Sequence, residues 1–154
     1  MPIANTLKRY LDSATIQYGI LSHPYSVSSM DTAETAKVPG HQLAKGVVFR
    51  DAEGYLLAVL PSTLHVDINT LNALTERRLE LIEETEVSRL FSDCDLGAVP
   101  PIGDAYHLDV ALDNALLDEE SIYFEAGDHR ELIHVNTHDF QELLKNARCE
   151  RFAH

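Results

Sequence analysis

Leu43-Ala44-Lys45-Gly46-Val47-Val48-Phe49, then Arg50-Asp51-Ala52-Glu53-Gly54, then Tyr55-Leu56-Leu57-Ala58-Val59-Leu60 is the stretch on which the fold turns. Two apolar runs separated by a short polar link that ends in glycine read as a β-hairpin. The first run is apolar on both faces, as a buried strand is. Alternation along it puts Lys45 on the same side as Val47 and Phe49. An ammonium on an apolar face needs a partner, a route to solvent or a role in function.

Outward from the hairpin, helices and strands alternate. Ile3, Leu7, Tyr10 and Leu11 have the spacing of a short amphipathic helix at the start of the chain. Residues 17–21 read as a strand ended by His23-Pro24, and Ser28 and Ser29 offer N-caps for a helix over 31–37, stopped by Pro39-Gly40. Asp67 can cap a helix containing Ile68, Leu71 and Leu74. A brief strand is expected over 79–82 and a helix over 83–91 with Val87, Leu90 and Phe91 inward. Further strands are expected over 105–110, 122–125 and 131–135, the last two joined by Ala126-Gly127-Asp128-His129-Arg130. Thr137 can cap a final helix that buries Phe140, Leu143 and Leu144. Repeats, low-complexity tracts and Pro/Gly/Ser linkers are absent from the sequence. One α+β domain over 1–154 is expected.

A chain of 154 residues, 45% hydrophobic and 24% charged, has the composition of an ordinary globular domain with a full core. No apolar run approaches the roughly 20 residues that span a bilayer, so no membrane role is expected. Met1-Pro2-Ile3-Ala4-Asn5 shows no secretory pattern, and Cys94 and Cys149, far apart and without CxxC spacing, read as free thiols of a reducing cytoplasm. The net charge of −13 argues against a protein that coats nucleic acid by bulk attraction. That charge is unevenly spread. Residues 1–50 carry five Lys/Arg against three Asp/Glu, a balance of +2; residues 104–142 carry eleven Asp/Glu against Arg130 alone, a balance of −10. An anionic ligand is expected on the face built by the first third.

Leu96-Gly97-Ala98-Val99-Pro100-Pro101-Ile102-Gly103 is the second feature with chemical content. The prolines fix φ and lack an amide hydrogen, while the glycines let backbone approach a ligand. With Lys45 this loop suggests a small-molecule or RNA-end pocket; alone it reads as a structural turn. His129, His134 and His138 raise a metal site, but strand alternation separates the first two and no HExxH or paired cysteines accompany them. The acidic run Asp118-Glu119-Glu120 reads as a helix N-terminus or a solvated turn. No GxSxG serine motif is present.

The order of these pieces resembles the YbaK family, the domain also inserted in bacterial prolyl-tRNA synthetases for editing. The resemblance runs through His23-Pro24, Thr32-Ala33-Glu34, Lys45 at the head of a hydrophobic strand, Glu86-Val87-Ser88-Arg89-Leu90-Phe91, the GxxxP loop from Gly97 to Pro101, and Gly127-Asp128-His129. Many members carry Thr or Asn after the lysine; this chain carries Gly46. The resemblance implies a mixed, mostly antiparallel, barrel-like sheet flanked by helices, and hydrolysis of the ester joining a wrong amino acid to tRNA. It implies Lys45 and His129 as catalytic residues, and His23, Gly46, Gly97, Ala98, Val99, Pro100 and Pro101 as substrate-binding ones. No cofactor or metal is implied. The free 2′-hydroxyl of the terminal adenosine would help orient water, and alanine or cysteine on tRNA-Pro is the first substrate indicated. The 3′ end of misacylated tRNA is the expected partner, delivered with help from a synthetase or elongation factor. The alternative is a non-catalytic module of the same fold that docks on tRNA or a synthetase.

Overall fold

The computed structural model describes residues 3–26 and 28–154; the expectation drawn from the N-terminus includes Met1 and Pro2, which lie outside them. The hairpin forms as expected: β2 (Leu43–Asp51) pairs antiparallel with β3 (Gly54–Pro61) in continuous register from Ala44↔Pro61 to Asp51↔Gly54. The Asp51 carboxylate accepts from the amides of Glu53 and Gly54 at 2.9 and 3.1 Å, so the acid closes the turn it precedes. β3 is apolar throughout because both its faces are covered. Leu57 and Val59 enter the main core; Leu56, Ala58 and Leu60 enter a second core with Leu71 and Phe152.

Around the hairpin the remaining strands are β1 (Gly19–Ser22), β4 (Glu80–Leu81), β5 (Asp109–Asp113), β6 (Ser121–Glu125), β7 (Glu131–Asn136) and β8 (Arg148–Glu150). The sheet runs β1-β7-β6-β2-β3-β5-β8, with β4 attached to β2. Four of its pairings are antiparallel and three parallel, the mixed α+β sheet expected. Among the described residues five helices flank it: α1 (Asn5–Ser13), α2 (Ser29–Ala36), α3 (Ile68–Thr75), α4 (Glu84–Leu90) and α5 (Thr137–Leu143). Ser28 caps α2 by accepting from the Asp31 amide, and Asp67 caps α3 through the amides of Asn69 and Thr70. Among the described residues no helix is long and apolar enough to cross a membrane.

Several expectations need correction. The strand placed at 105–110 begins later, as β5, because Gly103–Tyr106 coils into a 3-10 turn closed by His107 at φ 59°. The cap of α5 is Asn136, which accepts from the Asp139 amide, while the Thr137 hydroxyl donates to the Glu119 carbonyl. Of the two readings of the acidic run the turn holds, since Asp118 ends a 3-10 turn, Asn114–Asp118. β8 was not expected. It pairs parallel with β5, and the chain after it is held by the buried Asp113 carboxylate, which accepts from the amides of Phe152 and Ala153 at 3.0 and 2.8 Å.

What positions the site is the divided edge of β2. One edge pairs with β3 along its length. The other pairs with β6 only through Leu43↔Tyr123 and Ala44↔Phe124, and with β4 only through Phe49↔Leu81 and Arg50↔Glu80. Between these contacts, residues 45–48 have no strand beside them on that edge among the described residues.

Candidate functional site

Where β2 and β6 part, the register has just reached Ala44 opposite Phe124. The next residues are Lys45 on one strand and Glu125 on the other, two ionisable groups at the mouth of the split. Lys45 is partly buried, and its nearest hydrogen-bond acceptor is the Ser62 carbonyl at 3.4 Å. It forms no ion pair with a carboxylate among the described residues, and burial lowers its pKa. A cation held in this way is already partly desolvated, so it meets an incoming anion with less competition from water. Around it Ser28, Ser29, Met30, Ser62, Thr63 and His65 line an open cleft of about 590 Å³.

Gly46 points to the opposite face of β2. There Gly46, Val47 and Val48 form one wall of a cleft of about 290 Å³, and Leu81, Ile82, Val87, Gly97 and Val99 form much of the rest. Lys45 and the 97–101 loop therefore border two clefts that share the free edge of β2, where the sequence suggested one pocket. A Cβ on Gly46 would come within 2.8 Å of a Leu57 methyl and 3.6 Å of the Pro101 backbone. A side chain here would displace the end of Leu57 and narrow the cleft beside Pro101.

In the loop, Gly97 is exposed at φ 81°, a left-handed conformation that favours glycine, whereas Ala98, Pro100 and Pro101 are buried and anchor it. The Ala98 amide donates to the Asp95 carbonyl at 3.1 Å. The amides of Gly97 and Val99 have no protein acceptor among the described residues. The root of the loop is tied to the β6–β7 turn: the Asp95 amide donates to the Gly127 carbonyl at 2.7 Å, and His129 Nε2 donates to the Leu96 carbonyl. His129 takes φ 61° and is 2% exposed, so it is a core side chain and not an exposed turn residue.

Beneath the loop root, His129 meets His23 across Glu125. Glu125 Oε2 lies 3.6 Å from His129 Nδ1, and Oε1 lies 3.9 Å from His23 Nε2. Burial pushes the Glu125 carboxyl up to about 8, and the nearby charge of Asp128 acts in the same direction. Sequence reasoning found both histidines and missed Glu125. The available signal was an acid closing the apolar run Ile122-Tyr123-Phe124, the same anomaly that drew attention to Lys45.

Other candidates fall elsewhere. His134 stacks on Tyr123 with ring centroids 4.1 Å apart and His138 is exposed beside Asp139, so neither joins His129 in a metal site. Asp104 accepts from Tyr10 and Asn146, away from the loop cleft, and Glu34 is exposed on α2. Burial pushes the Cys94 thiol up to about 12, which makes it a poor nucleophile.

A family model described as "Aminoacyl-tRNA editing domain" matches residues 23–143, which takes in His23, Lys45, the loop, Glu125 and His129. The chain belongs to the aminoacyl-tRNA editing domain family. Its editing-domain fold is found in several solved structures. One, a candidate trans-editing enzyme for prolyl tRNA synthetase, is 21% identical, with TM-score 0.87 over 100% of this chain and 98% of that one. A scaffold protein used for computational epitope grafting is 20% identical, with TM-score 0.86 over 98% and 97% of the two chains. Hypothetical protein APE2540 is 18% identical, with TM-score 0.85 over 97% and 100%. No curated protein matches the sequence.

Proposed function

We propose that this editing domain is a deacylase that hydrolyses the ester of misacylated tRNA. The observation that carries the reading is the free edge of β2, with an unpaired, half-desolvated Lys45 on one side and the 97–101 loop on the other. The 3′ end of a tRNA supplies what both sides lack. Its terminal phosphate gives Lys45 an anion, and its aminoacyl ester meets the loop at the cleft beside Gly46.

The ester is already activated, so catalysis consists of placing water and stabilising the oxyanion. The amides of Gly97 and Val99 are the available donors for that oxygen. Water oxygen bonds to the ester carbon, the bond to the ribose oxygen breaks, and a proton passes to that oxygen, leaving a free amino acid and a tRNA hydroxyl. The substrate's own 2′-hydroxyl orients the water. His129, with Nε2–H committed to Leu96, shapes the site from behind. The walls of the loop cleft sieve the amino acid, and one methylene is worth only about 1–3 kcal/mol to such a sieve. Alanine or cysteine on tRNA-Pro is the first substrate to try.

The alternative is a non-catalytic module of the same fold. The −10 balance over 104–142 favours it, because an acidic surface suits a basic protein partner better than tRNA. In the deacylase reading the same surface docks on the synthetase or elongation factor that delivers tRNA. Hydrolysis of Ala-, Cys-, Ser-, Thr- and Pro-tRNA-Pro separates the two. Selective loss of one mischarged species supports the deacylase; intact esters throughout, with a stable synthetase complex, establish the binding module.

A further inference from the structure

Four buried side-chain atoms lack a hydrogen-bond partner among the described residues, and three of them belong to one cluster: His23 Nε2, Glu125 Oε1 and His129 Nδ1. Buried polar groups are almost always paired, so this concentration calls for a physical account. The tautomers supply it. His23 Nδ1 lies 2.7 Å from the Pro24 carbonyl and His129 Nε2 is bonded to the Leu96 carbonyl. A carbonyl only accepts, so both of these nitrogens carry hydrogen. With both rings neutral, the two inward nitrogens present lone pairs to the carboxyl group between them.

An ionised Glu125 would then face two acceptors in a buried site, which is unfavourable at every contact. One added proton relieves one of the two contacts and removes the net charge. On the carboxyl or on either inward nitrogen, it creates a donor–acceptor contact and leaves the cluster neutral overall. Burial and the nearby charge of Asp128 push the Glu125 carboxyl in the same direction. Other charged and polar groups about the cluster are few. Asp128 caps the amides of Arg130 and Glu131, the Tyr25 and His129 rings pack T-shaped with centroids 5.2 Å apart, and Arg130 lies over Tyr25 at 5.4 Å. Glu131 on β7 is taken up by the Ser22 hydroxyl on β1.

We infer that His23, Glu125 and His129 share a single proton, and that this proton holds the 97–101 loop in place through the bond from His129 to the Leu96 carbonyl. Glu125 and His23 are positioning residues: they act on the loop through His129 and touch no substrate. The consequence for catalysis rests on the deacylase reading; the proton sharing does not. Raising pH through the cluster's transition removes the shared proton, turns Glu125 into an uncompensated buried anion and loosens the loop root.

The experiment is a ¹⁵N NMR titration of the histidine side chains in the full chain, beside the Glu125→Gln variant, with deacylation measured over the same pH range. We expect His23 as the Nδ1–H tautomer and His129 as the Nε2–H tautomer, with both inward nitrogens shifting in one common transition. Glu125→Gln should abolish the common step and remove the alkaline limb of kcat/KM. Two rings titrating separately in the wild type, or unaffected by Glu125→Gln, would overturn the inference. The wild-type titration decides even where the variant fails to fold. A coupled transition in a protein that hydrolyses no ester would uphold the shared proton and remove the deacylase reading alone.

Discussion

The two ends of β2 are built on opposite principles. At the turn end the charges of the strand are answered: Arg50 pairs with Glu80 and Glu86 at 3.1 and 2.9 Å, and Arg77 grips Asp51 at 2.7 Å. The hydrogen bond from Arg77 holds the Asp51 carboxyl well below the usual carboxylate range. At the split end Lys45 has only a carbonyl at 3.4 Å, Glu125 faces two imidazoles, and the loop offers unpaired amides. One end spends its polar groups on closing the fold; the other leaves them open to something outside the chain. Unmet polar groups gathered at a break in a well-paired sheet are what a binding site looks like before its ligand arrives.

The largest effect on rate is expected from Lys45→Ala. Loss of one charge-stabilising contact lowers deacylation about 10²-fold, while stability changes by no more than roughly 0.5 kcal/mol. The slope of log affinity for tRNA against log salt should also fall by about 1, since one phosphate contact disappears. A rate and slope equal to the wild type would place the anion site elsewhere.

Gly97→Ala comes next. A side chain at φ 81° costs roughly 1–2 kcal/mol, so either the loop shifts or the strain is carried. About tenfold in single-turnover rate follows, with KM less affected. Gly46→Ala is expected to be milder, a few-fold, because the clashing atom is the mobile end of Leu57. Arg77→Ala should leave the rate alone and lower the thermal midpoint. Because Asp51 is depressed in the fold, the contribution of its pair is present above the ordinary value of 3.8 and is lost as pH falls through the lowered one. Thermal melts should therefore show a smaller gap between wild type and variant at pH 2 than at pH 7.

Much of this architecture is legible in residues close together in sequence. Asp51, Ser28 and Asp67 act on amides two or three positions away, so their turn and caps can be read directly. The apolar runs of the hairpin likewise announce strands covered on both faces. What escapes is set by distant partners. β8 is three residues long without an apolar pattern, and exists because β5 and Asp113 receive it. Thr137 looked like a cap, yet Asn136 is closer to the geometry that the Asp139 amide requires. Of the site, Lys45, the loop and His129 were visible as local oddities. Glu125 was not, because an acid at a strand end acquires its meaning only when His23 and His129 close around it. Nor could alternation alone show that Lys45 and the loop border different faces of β2.

The most direct test sets the two ends of β2 against each other: single-turnover hydrolysis of Ala-tRNA-Pro and Cys-tRNA-Pro by Lys45→Ala and Arg77→Ala, with thermal melts of both. The account predicts that Lys45→Ala keeps its melting temperature and loses about two orders of magnitude in rate, while Arg77→Ala melts lower and hydrolyses normally. Equal rates for Lys45→Ala and wild type, or loss of rate in Arg77→Ala at a temperature where it is folded, would contradict it.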